Sequence, residues 1–448
     1  MTSSIQTKAI RALSVAFVVA VNVACSSVGP DYVRPSIAVP SAYKEAAPGQ
    51  KPVQPRDSSA QRQWWKIYGD TQLDALVEQV NAANPSIHAA EARVRQARSL
   101  ADAAKAAQFP TLIAGGTNDL GLLANWELDL WGRIRRNVEA SGAAAQASAA
   151  DLAAAKLSMQ AQLVQSYFQL RVQDAEIRLL QDSVAAYERS LQLTRNQYKA
   201  GVAARAEVVQ AQAQLGAAQA QMLDARVARS QLEHALAVLI GKAPADFSLE
   251  VAPINIVVPS VPAALPADLL ERRPDIAAAE RRMAAASAQI GVAEAASYPL
   301  ITLFGGQSLR HRVGGEKMTL PLFDAGAIRA LSAKAGAAYD EALADYLSTV
   351  LNGFREVEDN LAALQFLDEA AQAQAEAVKS ARESMTITNN QYRAGIVSYL
   401  SLVVVQAGAL NNERVALGIF RRRLVASVTL IKALGGGWEA NPAKAAKG

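Results

Sequence analysis

Two long stretches of the chain contain no proline, residues 111–243 and 322–441. Proline removes a backbone donor and clashes with the preceding turn, so it ends or kinks a helix. Runs of this length leave room for helices several times the ordinary ~11–12 residues. The first run carries a heptad of Leu163, Leu170, Ile177, Val184, Leu191 and Tyr198. The second carries Val357, Leu364, Ala371, Val378, Met385 and Tyr392. A sustained period of 3.5 predicts helices that supercoil on neighbours. A helix over about residues 137–199 would rise ~95 Å, with a shorter return helix over about 204–240. Hydrophobic residues make up 51% of the chain but aromatics only 6%. Much of the remainder is alanine, which favours helix and adds little core volume, so thin helices are expected rather than a thick globule.

The chain is also written twice. Asn84-Pro85-Ser86-Ile87 is answered 189 residues later by Arg273-Pro274-Asp275-Ile276. At the same offset Glu91 matches Glu280, Arg93 matches Arg282 and Phe109-Pro110 matches Tyr298-Pro299. From Gly132-Arg133-Ile134-Arg135 and Gly326-Ala327-Ile328-Arg329 the offset becomes 194, and it persists. Asn196-Gln197-Tyr198-Lys199-Ala200-Gly201 thus falls on Asn390-Gln391-Tyr392-Arg393-Ala394-Gly395. Asn84 is placed as a helix cap with proline in the first turn. Each half reads short helix, hairpin, long helix, turn, long helix. The expected divisions are an export signal over 1–24, an extended segment over 25–69, a first repeat over 70–240 with its hairpin at 111–131, a linker over 241–273, a second repeat over 274–435 with its hairpin at 300–325, and a tail over 436–448. Ile254-Asn255-Ile256-Val257-Val258 in the linker has β character.

The hairpin segments alternate. Leu120, Leu122, Ala124, Trp126, Leu128 and Leu130 point one way, and Gly121, Leu123, Asn125, Glu127, Asp129 and Trp131 the other. One apolar and one mostly polar face at period two is the pattern of a transmembrane barrel strand. Trp126 and Trp131 are candidates for an interfacial belt. The second hairpin is placed at Leu300–Gly306 and Met318–Asp324. An ordinary soluble hairpin satisfies the same pattern. If the strands do cross a membrane, four cannot close a barrel, which needs about eight. Open edges are not tolerated in lipid, so several chains must then share one barrel.

The N-terminus reads as an export signal: Lys8 and Arg11, then an apolar stretch from Ala12 to Ala24 that is shorter than the ~20 residues of a spanning helix. It ends in Val23-Ala24-Cys25, the only cysteine of the chain, so no intramolecular disulfide can form. A small residue before that cysteine resembles a bacterial lipoprotein cleavage site, with Cys25 lipidated; Asn22 departs from the usual leucine. Removal of Lys8 and Arg11 lowers the net charge from +4 to 43 − 41 = +2. With no dense basic run or aromatic platform, nucleic-acid binding is not expected. His88, His234 and His311 lack metal spacing, and no phosphate loop or nucleophile elbow occurs. Neither an enzyme nor a cofactor is expected.

Taken together, these segments resemble the TolC-type outer-membrane efflux factors, in the NodT/OprM-like lipoprotein branch. The resemblance is carried by Cys25 with Val28-Gly29-Pro30-Asp31-Tyr32, Trp65 with Tyr68-Gly69-Asp70, Trp126-Glu127-Leu128-Asp129-Leu130-Trp131-Gly132-Arg133, Leu269-Leu270-Glu271-Arg272-Arg273-Pro274-Asp275-Ile276, Leu320-Pro321-Leu322-Phe323-Asp324-Ala325-Gly326 and both tip motifs. It spans essentially the whole mature chain. It implies a mainly α fold with a small β part: a homotrimer with a long α-barrel and a shared transmembrane β-barrel, anchored by lipid in the Gram-negative outer membrane and extending into the periplasm. It also implies a periplasmic adaptor and an inner-membrane pump as partners. The expected function is a passive exit duct in a tripartite efflux or type I secretion system.

Two departures from the family pattern matter. Only 21 residues separate Pro110 from Gly132 and 26 separate Pro299 from Gly326, whereas spanning strands need ~9–11 residues each. The first hairpin fits only with a turn near Thr117-Asn118-Asp119. A non-conducting, lipid-anchored coiled-coil tether therefore stands as the alternative function. The second departure is at the periplasmic aperture, where the family often carries aspartates. Counting from the tips places Val404 and Gln210 there, with Leu400 one turn earlier. Valine makes the constriction apolar, able to close by dewetting, unless Val404 faces a neighbouring helix and lines nothing. At the tips, Gly201 and Gly395 are helix caps, and Val202 and Ile396 follow as exposed knobs. Adaptor docking or simple capping would both use them.

Overall fold

The computed structural model describes residues 27–46, 63–115, 121–259, 266–308 and 312–436. The signal segment, Cys25, the Thr117-Asn118-Asp119 turn and the tail from residue 437 lie outside the described residues. A 3₁₀ turn at Trp64–Tyr68 leads into helices α1 (Thr71–Ala83) and α2 (Pro85–Ala106). Strands β1 (Thr111–Gly115) and β2 (Gly121–Leu128) follow, then the long helix α3 (Arg133–Lys199) and its return α4 (Arg205–Leu239). The second half repeats the order with α5 (Pro266–Arg272), α6 (Pro274–Ala295), β3 (Leu300–Ser308), β4 (Arg312–Thr319), α7 (Ala327–Arg393) and α8 (Tyr399–Ala433). Matching helices have equal lengths: 22 residues in α2 and α6, 67 in α3 and α7, and 35 in α4 and α8. A helix of 67 residues rises about 100 Å, as the proline-free runs lead one to expect.

Side-chain oxygens start the helices. Asp70 accepts from the amides of Gln72 and Leu73 at 2.9 and 3.0 Å. Asn84 accepts from Ser86 and Ile87, and its amide donates to the Leu239 carbonyl at 2.8 Å. Arg273, at the matching position, instead donates to Glu356 at 2.7 Å and to the Ala433 carbonyl at 3.3 Å. Asp129 begins α3 by accepting from Ile134 and Arg135, and Asp324 begins α7 by accepting from Gly326 and Ile328. A carboxylate at these N-termini satisfies orphan donors and complements the helix dipole. The Ile328 and Gly326 amides hold the Asp324 carboxyl below its ordinary value.

The return helices and the tips end alike. Gly201, Gly241, Gly395 and Gly435 all have positive φ. In each, the following residue's amide reaches five residues back, as in Val202 to Gln197 and Ile396 to Gln391, both at 2.9 Å. This is the Schellman arrangement. A Cβ at Gly201 or Gly395 would meet open space, but one at Gly241 or Gly435 would collide with the Ala83 or Arg272 carbonyl. Gly201→Ala is therefore expected to cost about 1 kcal/mol, the backbone term alone. Gly241→Ala should cost more, because two backbones must also separate. Denaturant unfolding of the two variants tests the ranking.

The four strands form one antiparallel sheet in the order β1-β2-β3-β4. Pairing stops at Leu128, so the alternation that was expected to run on through Trp131 ends earlier. Asp129 and Trp131 belong to the turn into α3. Likewise the last strand is Arg312–Thr319, not Met318–Asp324. Pro321 offers no donor to a ladder, and Asp324 is taken by the start of α7. Residues 251–258 carry no regular element, so the β character of Ile254–Val258 finds no strand among the described residues.

The chain divides into two units. One comprises residues 1–39, 89–154 and 274–352, and so contains the sheet. The other comprises 40–88, 155–273 and 353–448, and so contains both tips. In the second unit Tyr68 packs edge-on to Phe168 at 4.7 Å and bonds Ser427, while Tyr167 donates to Asp70 at 2.6 Å. The two heptads are not buried alike. Leu163, Leu170, Ile177 and Leu191 are buried, whereas Leu364, Ala371, Val378 and Met385 are only partly covered. The pattern reverses at the ends, where Val357 and Tyr392 of the second heptad are buried and Tyr198 of the first is exposed.

Candidate functional sites: the sheet and the helical tips

Directly paired residues of an antiparallel ladder share a face. The register sets Leu112 opposite Ala124, Ala124 opposite Gly305, Trp126 opposite Leu303 and Leu128 opposite Ile301. That face is apolar over three strands, and it is the face expected from Leu122, Ala124, Trp126 and Leu128. Its polar members are Gln307 and Arg312, paired beside the hairpin end, and Glu316, opposite Leu303. The other face is mixed: it pairs Thr111 with Asn125 and Thr302 with both Glu127 and Lys317, but also Ile113 with Leu123, alongside Val313, Phe304 and glycines. The free edges of β1 and β4 have no partner strand among the described residues.

Trp126 is exposed, and its indole N–H donates to the Gln108 carbonyl at 3.0 Å. Trp131 is half-buried; it donates to the Pro299 carbonyl at 2.8 Å and stacks on Tyr298 at 4.9 Å. It thereby ties the end of the first hairpin to the start of the second.

Beside this base runs the segment Val28-Gly29-Pro30-Asp31-Tyr32. The Val28 amide donates to the Trp131 carbonyl at 2.9 Å. The buried Arg136 guanidinium donates to the Val28 and Gly29 carbonyls and to Asp31 at 2.8 Å. Gly29, at φ 90°, lies against Gly291 with no room for a Cβ. Tyr32 donates to the buried Glu280 at 2.5 Å. Burial alone would push the Glu280 carboxyl up, but Arg281 and Tyr32 outweigh it and hold it below the ordinary range. Sequence reasoning missed both clamps. Arg136 was detectable as a difference between repeats, since its counterpart is Ala330. Glu280 matches Glu91 and gave no such contrast.

At the other motif, the tips are held by one apolar cluster of Leu191, Ala211, Tyr392, Tyr399 and Leu402, with Val403 and Val405 packed against it. Tyr392 shares a hydrogen bond with Thr194 at 2.7 Å and donates to Gln197 at 2.8 Å. Burial pushes the Tyr399 phenol up to about 12, and the Tyr392 phenol also lies above its ordinary value. Neither ionises near neutral pH. Val202 and Ile396 project from the two turns with 74% and 72% of their surface exposed. Val404 and Leu400, four residues apart, are exposed together on α8, while Gln210 is half-buried. Within one chain, then, Val404 faces away from the cluster that holds its neighbours.

No helix among the described residues is long and apolar enough to cross a membrane. An open antiparallel sheet with one largely apolar face and two helices of 67 residues each define the fold class. The chain belongs to the outer membrane efflux protein family, whose model matches residues 76–242 and 265–436. It is 30% identical over 459 residues to the pyoverdine export outer membrane protein OpmQ of Pseudomonas aeruginosa, covering 93% of this chain and 95% of that one. It is 29% identical over 451 residues to the toluene efflux pump outer membrane protein TtgC of Pseudomonas putida, covering 92% and 93%. Among solved structures it is similar to the outer-membrane channel OprN, with a TM-score of 0.85, 30% identity and coverage of 93% and 100%. The open-state MtrE outer membrane channel of Neisseria gonorrhoeae follows with 0.81, 27%, 92% and 99%.

Proposed function

We propose that this protein is the outer-membrane exit duct of a tripartite efflux system, a homotrimer served by a periplasmic adaptor and an inner-membrane pump. The observation that carries this reading is the four-stranded sheet with two free edges beside one apolar face. Such a sheet is stable in lipid only when closed with further strands, and three copies supply twelve. Leu112, Leu122, Leu128 and Leu303 then face lipid, with Trp126 near an interface. The relatives' names speak of pyoverdine in one case and toluene in another. That relatives of this chain carry such unlike names supports selection by the pump rather than by the duct. Energy likewise comes from the pump, and the duct has no catalytic role.

Lipidation at Cys25 belongs to the same reading. Ser27 abuts Gly132 in the turn that leads from β2 into α3. The exposed Val202 and Ile396 act as adaptor knobs, and Leu400, Val404 and Gln210 line the periplasmic aperture.

The deciding experiment is conductance of the purified protein in planar bilayers. Discrete single-channel steps are expected; a trimer that binds vesicles and never conducts would instead make the chain a lipid-anchored tether. A companion pair of variants tests the face assignment. Ala124→Arg, midway along β2 on that face, should lower folded-state stability in bilayers by about 2–4 kcal/mol. Glu316→Leu, on the same face, should be neutral or stabilising. The opposite ranking would turn that face toward the lumen.

A further inference from the structure

A sheet that closes with copies of itself has an outer and an inner surface, and charge on the inner one is sparse. The strands hold four ionisable residues among those described: Glu127, Arg312, Glu316 and Lys317. Arg312 and Glu316 stand on the apolar face that the duct turns to lipid, so the mixed face carries Glu127 and Lys317 alone. The register puts these two on one row, with Glu127 opposite Thr302 and Thr302 opposite Lys317. An acid and a base thus stand two strand spacings apart, or ~9–10 Å.

They differ in what answers them. Arg133 donates twice to Glu127, at 2.9 and 2.6 Å, a bidentate pair that cancels the carboxylate's charge. Lys317 is exposed and makes no ion pair among the described residues. Its neighbours on the same face supply no carboxylate. The row toward the hairpin end is Asn125, Phe304 and Gly315, where a Cβ on Gly315 would press on the Phe304 ring, and the row on the other side pairs Leu300 with Thr319. Closure brings no acid either. In a ring of identical chains the free edge of β4 meets another copy's β1, and Thr111–Gly115 contains no ionisable residue. One positive charge per chain is left unanswered.

We infer that Lys317 sets the ion preference of the barrel: three ammonium groups form one collar in the lumen, and the collar draws small inorganic anions ahead of cations. The dimensions suit this. Twelve strands ~4.8 Å apart and tilted ~40° make a wall of ~12 Å radius. A lysine's four-carbon stem carries its charge inward from that wall, so the axis lies within the ~10 Å Debye length at 0.1 M salt. The inference rests on the exit-duct reading and adds to it a selectivity residue.

The test is the reversal potential of single channels under a potassium chloride gradient. The parent is expected to pass chloride ahead of potassium. Lys317→Gln should bring the permeability ratio toward one and Lys317→Glu should invert it, both effects shrinking at the ~3 Å Debye length of 1 M salt. Glu316→Gln, one residue away on the opposite face, should leave the ratio unchanged. Lys317→Cys guards against variants that assemble poorly, because charge is then added to channels already conducting. A sulfonate-bearing methanethiosulfonate should shift the ratio toward potassium, and an ammonium-bearing one should restore the parent value. The parent, whose only cysteine is Cys25, should respond to neither. Channels that keep the parent's selectivity whatever stands at 317 overturn the collar and leave the duct standing. A ratio that follows Glu316 instead overturns it by turning the other face inward. A parent that never conducts overturns the duct reading and the collar with it.

Discussion

Replacing Asp174 with alanine should destabilise the protein by about 3–5 kcal/mol, the range for removing one partner of a buried ion pair. Its carboxylate has no solvent exposure and accepts from Arg171 at 3.1 Å and Arg229 at 2.7 Å. Arg171 is nearly as buried and also donates to the Glu250 carbonyl; Arg229 donates to the Leu249 carbonyl and Glu233. These bonds fasten the strand-less stretch after α4 onto α3 and α4. Without Asp174, two guanidiniums stay largely out of water with their shared charge partner gone. Denaturant unfolding of the detergent-solubilised protein measures the loss. Asp174→Asn is the informative companion: it keeps an acceptor and removes the charge, so an intermediate loss assigns the difference to charge. Equal stability of Asp174→Ala and the parent would mean that water replaces the carboxylate.

The second large effect concerns conduction. Val404→Asp should turn the channel toward cation selectivity, read as a shift of the reversal potential under a salt gradient. Val404 is exposed on α8 while Val403 and Val405 pack inward. Under the trimer reading, three copies bring three such positions around one aperture. An apolar ring resists ions by dewetting, whereas three carboxylates attract cations and repel one another. The shift should shrink as ionic strength rises, because the Debye length falls from ~10 Å at 0.1 M to ~3 Å at 1 M. An unchanged reversal potential would mean that Val404 lines no aperture. Asp at exposed Leu223, on the return helix α4 away from the tip, is the matched control.

The helices were legible because their signals are long and redundant. Heptads, the absence of proline and a glycine stop all agree over 67 residues, so a local error cannot change the outcome. Gly201 and Gly395 could be read as caps because only glycine takes the left-handed turn without strain. The strands were harder. Asp129 continues an apolar–polar alternation as well as any strand residue, yet its carboxylate is consumed by the amides of Ile134 and Arg135. A period of two cannot announce where a cap takes over. The Leu320–Phe323 stretch misled for the same reason, being apolar without being paired; Leu322 and Phe323 are 92% and 90% exposed. Contacts such as Arg136 with Asp31, 105 residues apart, leave no periodic trace at all. The gap between Tyr198 and Tyr392 was equally silent, since both stand in the same motif and only burial separates them.

The equal lengths of the paired helices carry a consequence for how such a chain can change over evolutionary time. α3 and α7 both have 67 residues, and α4 and α8 both have 35. One residue inserted in α3 alone would raise its tip ~1.5 Å and rotate it ~100°, pulling Thr194 and Gln197 away from Tyr392. A single indel is therefore penalised at once. Length can drift only by coordinated changes, near multiples of seven, in both the outgoing and the return helix of both repeats. The family's tubes should accordingly come in discrete heights, with substitutions common along their walls and insertions confined to the hairpins, the linker and the ends.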